Sequence, residues 1–139
     1  MSRVVLPRSR WTSRAAAVAF WLLAAPGVVV LVAAWVWFGA SYLEEMTEQC
    51  KALAATTTME GFGAGFGLLP LLVAHVLGLA LLGPIATAGR SSTRSGIVYA
   101  VAAVVIASGI GVVVAEVLFE GTLFTMGAGA ARCYAGVGS

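Results

Sequence analysis

His75 is the only histidine of the chain, and it falls in the middle of a long apolar run, Gly61–Ile85. An ionisable group is costly in apolar surroundings and often marks function there. Two chemistries fit it. It is a proton relay or a metal or haem ligand, or it is a neutral histidine hydrogen-bonded to Ser108 or to a partner chain. A single histidine supplies only one of the four ligands of a zinc site. Glu116 lies one helical turn before Glu120, near the end of another apolar run. It can line an entrance for cations, reach up to headgroup water or pair with Arg132. His75 and Glu116 together form the candidate polar pathway for protons or ions.

The two cysteines, Cys50 and Cys133, lie outside the apolar runs. A bond between them closes a loop of about 80 residues and staples the C-terminal tail over the first helix. The alternative is two unpaired cysteines. No Cys-x-x-Cys occurs, and no neighbouring base would activate a thiolate. Ser108 has no acid–base pair beside it, and the sequence contains no aspartate. These patterns point to no catalytic, cofactor or metal site.

Two further patterns concern packing. Glycines alternate with larger residues from Gly61 to Gly67, without the lysine and the strand context of a phosphate-binding loop. Gly63-xxx-Gly67 reads instead as a place where another helix approaches closely. Ala103, Ala107, Gly111 and Ala115 stand four apart and form a ridge of small side chains, with Ser108-Gly109 beside it.

The elements that position these residues follow from hydropathy. Ala15–Gly39, Gly61–Ile85 and Gly96–Phe119 carry almost no charge. At 1.5 Å per residue each spans more than the roughly 30 Å hydrocarbon core of a bilayer. A chain crossing that core must satisfy its own backbone, so each reads as a transmembrane helix. The chain is 60% hydrophobic and 10% charged, against about 25% charged in soluble domains. The expected fold is an all-α integral membrane three-helix bundle, one transmembrane domain over 1–139. It has an outer segment at 40–60, an inner loop at 86–95 and an outer tail at 120–139.

Arg3, Arg8, Arg10 and Arg14 precede the first stretch without an acid, and Arg90 and Arg94 sit between the second and third. Such residues concentrate in cytoplasmic segments, which predicts a cytoplasmic N-terminus and an extracytoplasmic C-terminus. Both cysteines then lie on the oxidising side. The first stretch is longer than a signal-peptide core of about 7–15 residues, and reads as an uncleaved signal anchor. The net charge of +2 is no nucleic-acid signal; the basic residues adjoin membrane helices and suit anionic lipid.

Local signals refine the elements. Pro26 and Pro70 predict bends, and Gly83-Pro84 predicts the end of the second helix. Trp11 at one end, and Trp35, Trp37 and Tyr42 at the other, read as headgroup-level aromatic belts. Leu43, Met46, Cys50 and Leu53 alternate with Glu44, Glu45, Glu48 and Lys51 in a short amphipathic outer helix, either an extension of the first helix or a segment on the membrane surface. Thr56-Thr57-Thr58 should end it. The abundance of alanine, valine and glycine, with one lysine, resembles the composition of GC-rich bacterial genomes and suggests a bacterial inner membrane. The expected role is a non-catalytic accessory, assembly or stabilising subunit of a larger membrane complex, packing through Gly63, Gly67, Ala103, Ala107 and Gly111. The alternative is a homo-oligomeric channel or small transporter using His75 and Glu116. The expected partners are the lipid bilayer, other membrane subunits or further copies of the chain.

Overall fold

A computed structural model of the chain describes residues 13–54, 63–88, 92–121 and 123. Among them are three α-helices and no strand: α1 (Ser13–Ala54), α2 (Gly63–Ala88) and α3 (Thr93–Leu118). Each is long and apolar enough to cross a membrane, over Arg14–Glu48, Gly65–Ala88 and Thr93–Leu118. Every helix packs against both others.

The first helix does not stop at Gly39 where the apolar stretch ends. It continues to Ala54, so residues 40–54 extend α1 rather than forming a separate element. Nothing from Ala40 to Ala54 breaks a helix: there is no proline and no glycine. Two local contacts support it, Thr47 Oγ1 donating to the Leu43 carbonyl at 2.9 Å and Lys51 pairing with Glu48 at 2.6 Å. Lys51 also places positive charge on the last turn, which favours the carbonyl end of a helix. Leu43, Met46 and Cys50 are half-buried here, while Glu44, Thr47, Glu48 and Lys51 are exposed. Thr56-Thr57-Thr58, expected to end this segment, lies outside the described residues.

The second helix likewise passes through Gly83-Pro84 and ends only at Ala88. Proline removes one backbone donor, here the one that would meet the Ala80 carbonyl, and α2 continues past it for one further turn. Thr87 Oγ1 donates to the Pro84 carbonyl at 2.9 Å and steadies the added turn. Pro26 and Pro70 also lie within helices, and both are exposed.

Glycines set how closely the helices approach. A Cβ added at Gly67 would lie 3.1 Å from Phe38 Cα and Ser41 Cβ of α1. One added at Gly96 would lie 2.7 Å from Thr87 Cα, where α2 turns into α3. At the opposite end of the bundle, a Cβ at Gly39 would run into Phe119. The far ends of α2 and α3 therefore lie beside residues 38–42 of α1. With 42 residues against 26 in each of the others, α1 runs on to Ala54 past the end of α3 and past α2, which begins one turn before Gly67.

The interior is small and the exterior large. Ala16, Ala24, Ala34, Ala86, Ala100, Ala107 and Ala115 are buried, whereas Trp21, Leu22, Val29, Val76, Ile106 and Val117 are exposed. A water-soluble fold reverses this distribution. In lipid, exposure of large apolar side chains costs nothing, and small residues let helix backbones approach. The buried positions of α3, namely Gly96, Ala100, Val104, Ala107, Gly111 and Ala115, are four apart except for one step of three, which keeps them on one face of the helix.

The third helix closes with a Schellman turn. Gly121 N–H donates to the Glu116 carbonyl at 2.9 Å and Glu120 N–H to the Val117 carbonyl at 3.4 Å. Glu120 takes the left-handed position with φ 53°, and Gly121 follows at φ 78°. The chain turns back, and Leu123 is buried beside Gly39.

Candidate functional site

Three half-buried polar side chains, one from each helix, meet at one junction. Ser108 of α3 stands at its centre. Trp35 of α1 donates its indole Nε1–H to Ser108 Oγ at 2.9 Å. His75 of α2 pairs Nε2 with the same hydroxyl at 2.9 Å, and its Nδ1 lies 2.7 Å from the Leu71 carbonyl. All three side chains are half-buried.

The Leu71 carbonyl fixes one proton position. A carbonyl only accepts, so His75 Nδ1 carries the hydrogen and donates to Leu71. In the neutral ring Nε2 then accepts from the Ser108 hydroxyl, whose oxygen in turn accepts from the indole. The hydrogen bonds run in one direction, from Trp35 through Ser108 and His75 to the backbone of α2. Serine suits the centre because a hydroxyl donates and accepts at once.

Local sequence brings each group there. Leu71 lies one helical turn before His75, which puts its carbonyl within reach of the ring. Gly111 follows Ser108 by three residues and clears space for the indole: a Cβ there would stand 2.5 Å from Trp35 Cδ1 and 3.2 Å from the Leu31 carbonyl oxygen. Trp35 also packs edge-on against Phe38, with ring centroids 5.8 Å apart.

Of the residues singled out in the sequence, His75 joins Ser108 as one of its two readings expected. Gly67 faces α1, and Ala107 and Gly111 are buried in the α3 seam. Ala103 is half-buried against the core. Gly63 begins α2, and nothing further about its surroundings is described. Glu116 is not drawn into the junction. It stands eight residues beyond Ser108, about 12 Å along the helix axis, and its Oε2 is buried with no hydrogen-bond partner among the described residues. Cys50 is half-buried on the projecting end of α1, and Cys133 lies outside the described residues. Among the described residues no three His, Cys, Asp or Glu side chains come together.

Trp35 is the junction residue that the sequence reading placed elsewhere. Assigned there to the aromatic belt, it turns inward, while Trp37 is exposed and meets Phe66 with centroids 6.3 Å apart. The signal was available. Residues two apart on a helix point about 200° away from each other, so Trp35 and Trp37 cannot both face lipid.

Fold and junction together describe a chain whose described residues form three helices long and apolar enough to cross a membrane, consistent with a multi-pass membrane protein, with one polar side chain from each helix joined at the junction. Comparison with protein-family models, curated proteins and solved structures yields no match.

Proposed function

We propose that the chain is a non-catalytic membrane subunit that assembles or stabilises a larger membrane complex. The observation that carries this reading is how the junction ends. A relay needs groups that both take up and release a proton. The hydrogen-bond chain begins at an indole N–H, which only donates, and stops at an amide carbonyl, which only accepts. His75 thereby serves as a tie between helices.

The outer surface supports a partner. Gly67, Ala107 and Gly111 are used within the chain, whereas Gly65 and Gly109 are exposed and a Cβ at either would meet nothing. Bare glycines among outward Leu68, Val105 and Val113 leave hollows that suit a helix of another subunit. The projecting end of α1 adds a second contact region. In this reading the N-terminus is cytoplasmic and the C-terminus extracytoplasmic, in a bacterial plasma membrane. The 43–51 segment forms an amphipathic outer surface, and Cys50 pairs with Cys133. The arginine distribution supports the orientation, and the oxidising side to which it assigns both cysteines supports their pairing.

The test is to extract the protein from its native membrane in mild detergent and weigh the intact complex. Unrelated subunits at reproducible stoichiometry are expected. A homo-oligomer alone would overturn the accessory role in favour of a channel or transporter, a reading that the unpartnered Glu116 Oε2 favours. In that case His75→Ala should abolish flux while assembly persists.

A further inference from the structure

One carboxylate oxygen lacks a donor among the described residues. Glu116 Oε2 is shut from solvent and meets no hydrogen-bond partner there. The residue stands near the end of a helix apolar enough to cross a membrane, where a carboxylate is costly without a partner. The side chain as a whole is half-buried. Part of it therefore reaches the surface of the bundle, and rotation about its own bonds can turn the unmatched oxygen outward.

Spacing defines the helix face to which Glu116 belongs. At about 100° per residue, Val105, Gly109, Val113, Glu116 and Glu120 lie within about 80° of one another around α3. The buried Ala107, Gly111 and Ala115 lie on the opposite side. The outward face is bare: Val105 and Val113 are 63% and 62% exposed, and a Cβ at Gly109 would meet nothing. Glu120 is exposed one turn beyond Glu116. The face is thus apolar with a hollow at its centre, and its end beside the Gly121 turn carries two acids and no base.

We propose that this face of α3 receives a membrane-spanning helix of the partner subunit, and that a lysine or arginine of that helix meets Glu116. The proposal rests on the accessory role and adds the chemistry of the partner. Charge complementarity carries it. An ionisable group inside a membrane pairs with its opposite, and the described residues leave this one open. Gly109 lies seven residues before Glu116, about 10 Å along the axis, and lets the backbone of a second helix close in. The basic side chain then fixes the register of that helix at the level of Glu116, with Glu120 adding charge of the same sign.

The experiment uses the full chain in its native membranes. A photoreactive amino acid replaces Val113, and the captured peptide is sequenced; the same probe at Val76, exposed on α2, is the control. The peptide expected from the Val113 probe alone comes from an unrelated subunit and carries a lysine or arginine inside an apolar span. Glu116→Lys should lower recovery of that subunit in mild detergent about tenfold, and exchanging the captured base for glutamate should restore it. Gly109→Leu, whose added Cβ meets nothing within the chain, should lower recovery in the same direction with tryptophan fluorescence unchanged. Unrelated subunits whose recovery is unchanged by Glu116→Lys would overturn the pairing and leave the accessory role standing. So would a captured segment without a base in its span, or a loss that the charge exchange does not restore. Silence of Gly109→Leu alone would overturn this face as the docking surface. Capture of the chain's own residues after Leu123 would place the donor within the chain and overturn the pairing. Capture of a second copy, with no unrelated subunit in the extract, would overturn the pairing and the accessory role together.

Discussion

His75 and Glu116 look alike in the sequence, each a single ionisable side chain inside a long apolar run, and the structure treats them in opposite ways. Both ring nitrogens of His75 are matched, one by the Leu71 carbonyl and one by Ser108. Glu116 has a carboxylate oxygen shut from solvent with no donor among the described residues. The difference comes from what each faces. His75 stands where three helices meet and a hydroxyl is opposite. Glu116 stands on the last turn of α3, close to the glycine turn at Gly121. An ionisable side chain becomes part of a membrane interior only where a neighbouring helix supplies a matching group.

If the junction is what distinguishes His75, removing its centre should have the largest effect. Ser108→Ala leaves the Trp35 N–H and His75 Nε2 without partners, at about 1–3 kcal/mol for each orphaned group. We expect a loss of about 3 kcal/mol in reversible unfolding in mixed micelles. A loss below about 1 kcal/mol would mean that indole and imidazole close the gap and bond directly. Gly111→Val comes next. Its Cβ would overlap the indole and crowd the Leu31 carbonyl, at a cost of about 2 kcal/mol for overpacking. Trp35 fluorescence should shift with it, since the ring must move; an unshifted spectrum would place Trp35 elsewhere. Trp35→Phe keeps an aromatic ring beside Gly111 but removes one hydrogen bond. It should cost about 1 kcal/mol, and coupling to His75→Ala in a double-mutant cycle would show that the three groups act as one.

Much of this was legible in the sequence, for identifiable reasons. The three spans follow from hydropathy alone, because a lipid-crossing chain has few alternatives to a helix. The His75–Ser108 pair was within reach as one of two readings, since both stand well inside their apolar runs. The limits of the helices were harder. Apolarity ends where a bilayer ends, but a helix can run on: residues 40–54 contain no proline or glycine, and α2 runs through Pro84 for one further turn. Trp35 was lost because tryptophan near a span end is commonly a belt residue, and only its angular relation to Trp37 argued otherwise. Gly67 and Gly111 were visible as packing positions, yet spacing could not distinguish a neighbour within the chain from one in another subunit.

The smallest expected effect lies on the other side of the comparison. Glu116→Leu removes a carboxylate whose Oε2 is buried and unmatched among the described residues, and replaces it with a side chain of similar reach. An orphaned polar group is costly, whereas an apolar replacement of the same shape is near neutral or stabilising. Stability should therefore rise, by up to about 1 kcal/mol, in the same micelle assay where Ser108→Ala loses about 3. Glu116→Gln separates charge from shape. It keeps an acceptor oxygen and adds an N–H that has no acceptor among the described residues, so it should gain less than leucine. If Glu116→Leu instead destabilised as strongly as Ser108→Ala, the carboxylate would have a donor outside the described residues. The contrast with His75 would then become one between a tie inside the helix trio and a tie beyond it.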